Sequence, residues 1–249
     1  MKRFISIISA VLITLSVLSV SAYAKSGKIT YTTVADTARF VLYEGKSTAP
    51  PISIVKAKLN TNGTAKTVYV VGLLGTESNK GQVNVIQNYL RALICLDNDY
   101  ARYAKQIICE NIKAGSSLII VGHSLGGMVA QQIACDNEIK DNYKIIGTVT
   151  AGSPYMITKS KPEGTVNRLA DLGDFIPKFG LATLLNPIRQ FATPVYGNGG
   201  YLLNPDGAHN KSYTDESVWG EYDVLGNKDG DAKLTFYMSD ITYFGAAEK

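Results

Sequence analysis

The chain has 249 residues, of which 45% are hydrophobic and 18% charged, and a formal net charge of +4. This composition excludes a disordered, collagenous or disulfide-dense chain, and the length leaves room for one sizeable α/β domain or two small ones. The charge is too small and too scattered, with no basic patch interleaved with aromatics, to imply nucleic acid as a partner.

The chain opens on Lys2 and Arg3, then FISIISAVLITLSVLSV, then Ala22-Tyr23-Ala24. A basic start, an apolar core and an A-x-A site together read as a secretory signal peptide over residues 1–24. A membrane anchor is the weaker reading, because the apolar run is slightly short and serines punctuate it. Loss of Lys2 and Arg3 takes the charge from +4 to +2. The mature chain, 25–249, is expected to be one catalytic domain, released outside the cell or held at its envelope.

Residues 28–43 and 52–59 are expected as early strands, the second alternating apolar and polar as a half-buried antiparallel or edge strand does. Asn62-Gly63 marks a turn. TVYVVGLLG is a continuous valine-rich run that suits a central parallel strand. Helices are expected over 82–95 and 99–114. SLIIVG is a second buried strand, Ser124 to about Asp136 a helix, KIIGTVTAG a third strand and TVNRLA a fourth. Strands alternating with helices predict βαβ units, a mainly parallel sheet and a single α/β domain. Residues 175–193, with Pro177 and Pro187, read as a loop with short helical turns. DVLGNKDGDAKLTFYM reads as two short strands around an Asn-Lys-Asp-Gly turn. The acids of that turn lack the twelve-residue calcium-loop pattern, so a solvated turn is expected.

The three cysteines are Cys95, Cys109 and Cys135, each in an apolar helical context. Buried free thiols are expected, with a Cys95–Cys109 or Cys109–Cys135 bridge as the alternative. No Cys/His spacing suggests zinc, and no cofactor is implied.

Gly122-His123-Ser124-Leu125-Gly126 fits G-x-S-x-G between a strand and a helix. A nucleophile at a sheet's carboxyl edge needs a sharp reversal of the chain. Side chains two positions to either side would collide there, hence the glycines. The following helix points its first amides at the site, so the Leu125 N–H can donate to a developing oxyanion. Gly127 and Ala130 are small enough for close helix–sheet packing.

A serine hydroxyl needs a base. The chain has only two histidines. In such an elbow the side chain of His123 diverges from that of Ser124, so His123 reads as structural, packed beside the strand end. His209 is left as the base. The acid should lie between Ser124 and His209. Asp136, Glu138 and Asp141 fall on the wrong sheet edge, and Glu163 precedes the fourth strand. Asp206 is so near His209 that it more plausibly shapes the loop. Asp171 and Asp174 follow the fourth strand at the carboxyl edge, where ligands bind. Position favours Asp174, with Asp171 second.

These segments resemble those of the class 3, fungal-type lipase family of α/β-hydrolases. VGHSLGGMVA is similar to that family's nucleophile segment, and TAGSPY to its T-F-G-S-P strand. NRLADLGDFIPKF resembles the segment that carries the family's triad acid, which implies Asp174, with Pro177 three residues on. VYVVGLLGTES resembles the loop that supplies the second oxyanion donor, which implies Thr76. DGAHNKSY resembles the family's D-H-x-x-Y ending and again points to His209. The matching segments run in order over residues 68–213. Leu74 stands where the family usually has arginine, and the stretch after Thr76 lacks the proline-rich lid. Those departures weigh for an esterase against an interfacially activated lipase.

The leading expectation is a secreted serine ester hydrolase acting on acyl esters of lipids, with Ser124, His209 and Asp174 as triad and Leu125 and Thr76 at the oxyanion. The apolar segment 175–193 and the loop 155–157 are candidate acyl-pocket walls, with Tyr155, Phe175 and Ile176 as substrate contacts. The partners expected are a lipid or small ester, with transient contact at a lipid interface and no protein. A phospholipase, thioesterase or peptidase on the same triad is the second reading. A non-catalytic surface-binding protein on the same scaffold is the third.

Overall fold

A computed structural model describes residues 27–42, 51–75, 98–158 and 160–245. The leader over 1–24, the helix expected over 82–95, Thr76 and Cys95 lie outside the described residues.

Among the described residues one sheet of nine strands organises the fold, in the order β1-β8-β2-β3-β4-β5-β6-β7, with β9 pairing β2. The strands are β1 (Lys28–Tyr31), β2 (Ile52–Thr61), β3 (Thr64–Leu73), β4 (Ser117–His123), β5 (Lys144–Ala151), β6 (Thr165–Asp171), β7 (Pro194–Gly197), β8 (Lys233–Tyr237) and β9 (Thr242–Phe244). β3 through β7 run parallel. β1, β8, β2 and β9 form an antiparallel flank. Leu73 pairs with Gly122, and His123 with Ala151, so the carboxyl ends of the central strands share one edge. The fold is that of an α/β-hydrolase: a mostly parallel sheet with helices on both faces.

The expected strand over 28–43 is corrected. β1 ends at Tyr31, and α1 (Val34–Leu42) follows. The cause lies in YTTVADTARF. Thr33 Oγ1 accepts the Asp36 amide at 3.3 Å, while Asp36 Oδ2 accepts the amides of Thr32 and Thr33 at 2.8 and 3.2 Å. This reciprocal cap satisfies three helix-start donors and turns the chain. Val34, Ala38 and Val41 then fall on one buried helical face.

The turn at Asn62-Gly63 joins β2 to β3, with Thr61 opposite Thr64. Both residues have positive φ, 50° and 73°, which a two-residue hairpin turn of matching twist requires. β3 is parallel only to β4 and antiparallel to β2, so it forms the seam between the two halves of the sheet. β2 is paired on both sides, by β3 and by β8 with β9.

Two apolar layers cover the sheet. On one face α2 (Asp99–Asn111) and α3 (Leu125–Cys135) bury Ile107, Ile108, Met128 and Ile133 against Leu118 and Ile120. On the other, α1 and the C-terminal segment bury Phe40, Tyr213, Trp219 and Phe236 against Val70, Ile119 and Val121. Alternate residues of β4 thus feed opposite layers, as a strand covered on both faces must. A short α4 (Asn137–Asn142) leads into β5.

Residues 175–193 do form short turns: a 3₁₀ turn over Ile176–Lys178, α5 (Leu181–Leu185) and α6 (Pro187–Ala192). The two strands expected in 223–238 are corrected to one, β8. Asp223 takes the amides of Leu225, Asn227 and Ala232 on its carboxylate, so the chain winds around it as a loop. Cys109 is exposed and Cys135 half-buried, and both are free, which corrects the expectation of buried thiols and excludes a bridge between these two.

Ile120 is fully buried in the middle of the sheet and Lys56 is exposed on β2. Ile120→Ala is expected to cost about 2–5 kcal/mol, and Lys56→Ala less than about 0.5 kcal/mol. Urea titrations followed by the fluorescence of Trp219, the only tryptophan and fully buried, measure both.

Candidate active site

β4 delivers Ser124 to the carboxyl edge of the sheet. Ser124 adopts φ 55° and ψ −123°, a conformation that non-glycine residues avoid. Its amide donates to Ala151 O at 2.9 Å, and its carbonyl accepts the amides of Gly127 and Met128 at 3.0 and 3.2 Å. The reversal brings α3 back against β4 at contact distance. A Cβ on Gly122 would strike the backbone at Gly126, and one on Gly126 would strike the Leu73 carbonyl. Both glycines are therefore steric requirements of the turn. Gly127 abuts Ser153 in the same way.

Leu125 is the first residue of α3, so its amide has no partner within the helix. The chain leaving β3 passes directly over the elbow. A Cβ on Gly75 would lie 2.7 Å from Ser124 Cβ and 3.1 Å from His123 Nδ1. Thr76 follows Gly75 and lies outside the described residues.

His209 sits in a short helix, α7 (Pro205–Asn210), rather than a plain loop. Asn204 caps that helix by accepting the Gly207 amide at 3.0 Å. Asp206 accepts from Asn210 and serves the same helix. His209 Nδ1 lies 2.8 Å from Asp174 Oδ2. A carboxylate only accepts, so Nδ1 carries the proton and Nε2 is left with its lone pair. The His209 side chain keeps 17% exposure while that of Asp174 keeps 1%. Among the described residues no hydrogen bond joins the Ser124 hydroxyl to His209. In free enzymes such bonds are commonly long and tighten when substrate binds.

Asp174 and Asp171 occupy separate environments. Asp174 follows β6, and its Oδ1 accepts the Ile176 amide at 2.9 Å. Its Oδ2 takes the Tyr213 hydroxyl at 2.7 Å as well as His209. Asp171 is fully buried, and its carboxylate is consumed by the amides of Gly173 and Gly199 and by the Ser212 hydroxyl. It ties the loops after β6 and β7 to the segment after His209 and makes no bond to the imidazole. Geometry thus gives His209 to Asp174.

Sequence reasoning passed over Tyr213, four residues after His209 in DGAHNKSY. Its hydroxyl donates to Asp174 and accepts the Asp171 amide at 3.0 Å. Burial, and then the Asp174 charge, push its pKa well up, which keeps it a donor. Its ring stacks on Trp219, centroids 5.9 Å apart.

The proposed substrate contacts divide. Phe175 is exposed, with the Lys178 ammonium 5.2 Å from its ring centroid. Ile176 is half-buried and supplies the amide that holds Asp174. Tyr155 is anchored by its amide to Gln190 and lies under the buried Arg168 guanidinium. Met156 is buried in the core beside α3, so the loop 155–157 does not offer all its side chains to a ligand. Gln131 holds that loop from below, donating to the Pro154 carbonyl at 2.8 Å and accepting the Met156 amide at 2.9 Å. Among the described residues no group of three or more His, Cys, Asp or Glu converges as metal ligands do.

His123 is buried beside the site, and burial, followed by the neighbouring His209, lowers its pKa from 6.5 to about 3. The unfolded chain therefore takes up a proton near pH 6.5 that the folded chain refuses until about pH 3. Stability is expected to fall as pH drops through that window, at up to about 1.4 kcal/mol per unit from this group. Urea midpoints between pH 4 and 8 should show a shallower acid limb in His123→Gln than in wild type.

A comparison with protein families matches residues 78–175 to the PGAP1-like alpha/beta domain, a lipase- and esterase-like α/β-hydrolase family. No curated protein and no solved structure matches the chain significantly. The family match, together with the sheet and its flanking helices, supports the α/β-hydrolase fold and the general hydrolase class, and leaves the likeness to class 3 lipases a matter of motifs.

Proposed function

We propose that the protein is an exported serine ester hydrolase that cleaves acyl esters of lipids through Ser124, His209 and Asp174. The observation that carries this reading is the 2.8 Å bond from His209 to Asp174 on the same sheet edge as a serine in a strained strand–helix elbow. Ser124 Oγ attacks the ester carbonyl while His209 Nε2 takes its proton. Asp174, held by Tyr213 and the Ile176 amide, orients the ring and stabilises the imidazolium without itself taking the proton. The Leu125 amide and Thr76 receive the oxyanion. His209 then protonates the leaving alcohol, and water, activated by the same ring, clears the acyl-enzyme.

A lipid-type acyl group is favoured by the surface beside the triad. Of the eleven large hydrophobics exposed among the described residues, nine lie between Leu172 and Leu203. That stretch runs from the acid to just before the base. Apolar exposure concentrated in one segment marks a contact surface, here for an acyl chain or a lipid interface. Ile188 is 78% exposed and Phe179 60%.

A fluorophosphonate probe should label the wild type and not Ser124→Ala. On a chain-length series of p-nitrophenyl esters, Ser124→Ala and His209→Ala should each lose ~10⁴-fold or more in kcat. Asp174→Asn should lose ~10³–10⁴-fold, whereas Asp171→Asn should lower stability and keep kcat per folded molecule within about tenfold. Absence of labelling in folded wild type sinks the reading. Faster turnover of thioester, phospholipid or peptide than of neutral ester reassigns the substrate class. Ile188→Ser and Phe179→Ser should lower turnover of emulsified long-chain ester by about threefold or more and leave soluble short-chain ester unchanged, measured side by side.

A further inference from the structure

We propose that His123 is a positioning residue for the base: its imidazole clamps the backbone of His209 and so fixes where the His209 ring stands relative to Ser124. The inference rests on the hydrolase reading above and gives a role to the histidine which that mechanism leaves idle.

The geometry is a two-point contact. His123 Nε2 lies 2.8 Å from the His209 carbonyl oxygen. A carbonyl only accepts, so Nε2 carries the proton and donates. The two rings also face each other, centroids 4.5 Å apart at 43°. Tyr213, which holds Asp174, meets the His123 ring edge-on at 6.0 Å.

The clamp answers a structural need. α7 spans only Pro205–Asn210, and the Gly207 carbonyl already takes the Lys211 amide. The His209 carbonyl lies in the last turn, where the helix supplies no donor. With its own cap alone, a helix this short would leave the imidazole free to rock about its anchor. His123 supplies the missing donor from the rigid centre of the sheet. As the last residue of β4, it is joined by one peptide bond to Ser124. The nucleophile and the base are therefore referenced to the same strand end. His123 is 4% exposed and close to the chain at Gly75, so it has little room to leave this arrangement.

The role also requires His123 to be uncharged. During turnover His209 becomes an imidazolium, and a second cation 4.5 Å away in a buried site would oppose it. Burial and the proximity of His209 hold His123 neutral at neutral pH.

The test uses the full chain with two substitutions and one spectroscopic probe. His123→Leu removes the donor and keeps bulk. His123→Gln places an amide N–H near the position of Nε2. Nitrogen-15 imidazole NMR should show wild-type His123 protonated on Nε2, and a downfield Nδ1–H for His209. In His123→Leu, kcat is expected to drop ~10–100-fold with KM within about twofold, and the His209 Nδ1–H signal to broaden or vanish. His123→Gln should restore kcat to within about fivefold of wild type and recover that signal. A folded His123→Leu with wild-type kcat and an unchanged His209 signal overturns the proposal, as do equal losses in the two variants. If His123→Leu does not fold, the wild-type spectrum decides alone, because a proton on Nδ1 of His123 is incompatible with the clamp. Wild type without esterase activity or probe labelling would defeat the hydrolase reading, while the His209 signal in the variants would still decide the clamp.

Discussion

The reversal of the chain at Ser124 is the constraint from which the rest of the site follows. A serine at φ 55° is held there only because its surroundings over-determine it. Its amide is bound to Ala151 of the neighbouring strand, and its carbonyl opens α3. The turn tolerates no side chain at 122 or 126, because α3 lies against the strand ends at backbone contact. That approach aims the first amides of α3 at the sheet edge. It also draws the chain beyond Leu73 close over the serine, at Gly75. One strained residue thus fixes the relation of β3, β4, β5 and α3.

Burial of charge decides the two neighbouring aspartates. A carboxylate out of water costs several kcal/mol unless its oxygens are met by donors. Asp171 is met by two amides and a hydroxyl, all neutral and all fixed. It has no bond left to give a moving proton chemistry, and its effect is to gather three loops. Asp174 is met by one amide, one hydroxyl and the His209 ring. In the proposed mechanism this buried anion, costly alone, would stabilise an imidazolium, because its other donors hold it in place without neutralising it. Tyr213 joins the two aspartates, its hydroxyl accepting from the Asp171 amide and donating to Asp174.

Legibility in the sequence followed the range of the interactions. The central strands and the elbow helix were readable because both faces of a buried strand demand apolar residues, and because a tight reversal demands glycine. The hairpin at Asn62-Gly63 was readable for the same local reason. The helix after β1 was not, although its signal was present. A Thr33–Asp36 cap outweighed the strand-like run of Val, Phe and aromatic residues around it. The loop around Asp223 was unreadable as a loop, since its cause is a carboxylate gathering amides up to nine residues away. β7 and β9 are short edge strands whose pairing comes from the sheet they join, so their own residues carry little signal. Tyr213 was hidden by distance, being 39 residues from the aspartate it serves.

The two histidines show what adjacency along a chain is worth. His123 neighbours the serine by one peptide bond and is buried at the end of β4. Elimination points to His209, 85 residues beyond Ser124, and the His209 ring lies 2.8 Å from the Asp174 carboxylate. Yet the discarded histidine ends in contact with the chosen one, with a proton shared between its ring and the other's backbone. Its two positions are consistent because a strand alternates its side chains. The residue before the turn must face the flank of the sheet on which the C-terminal segment packs, and α7 and Tyr213 arrive on that flank. A neutral donor there is useful where a second base would be harmful. Two like rings 4.5 Å apart disfavour a double charge, and burial together with the neighbouring ring keeps His123 neutral.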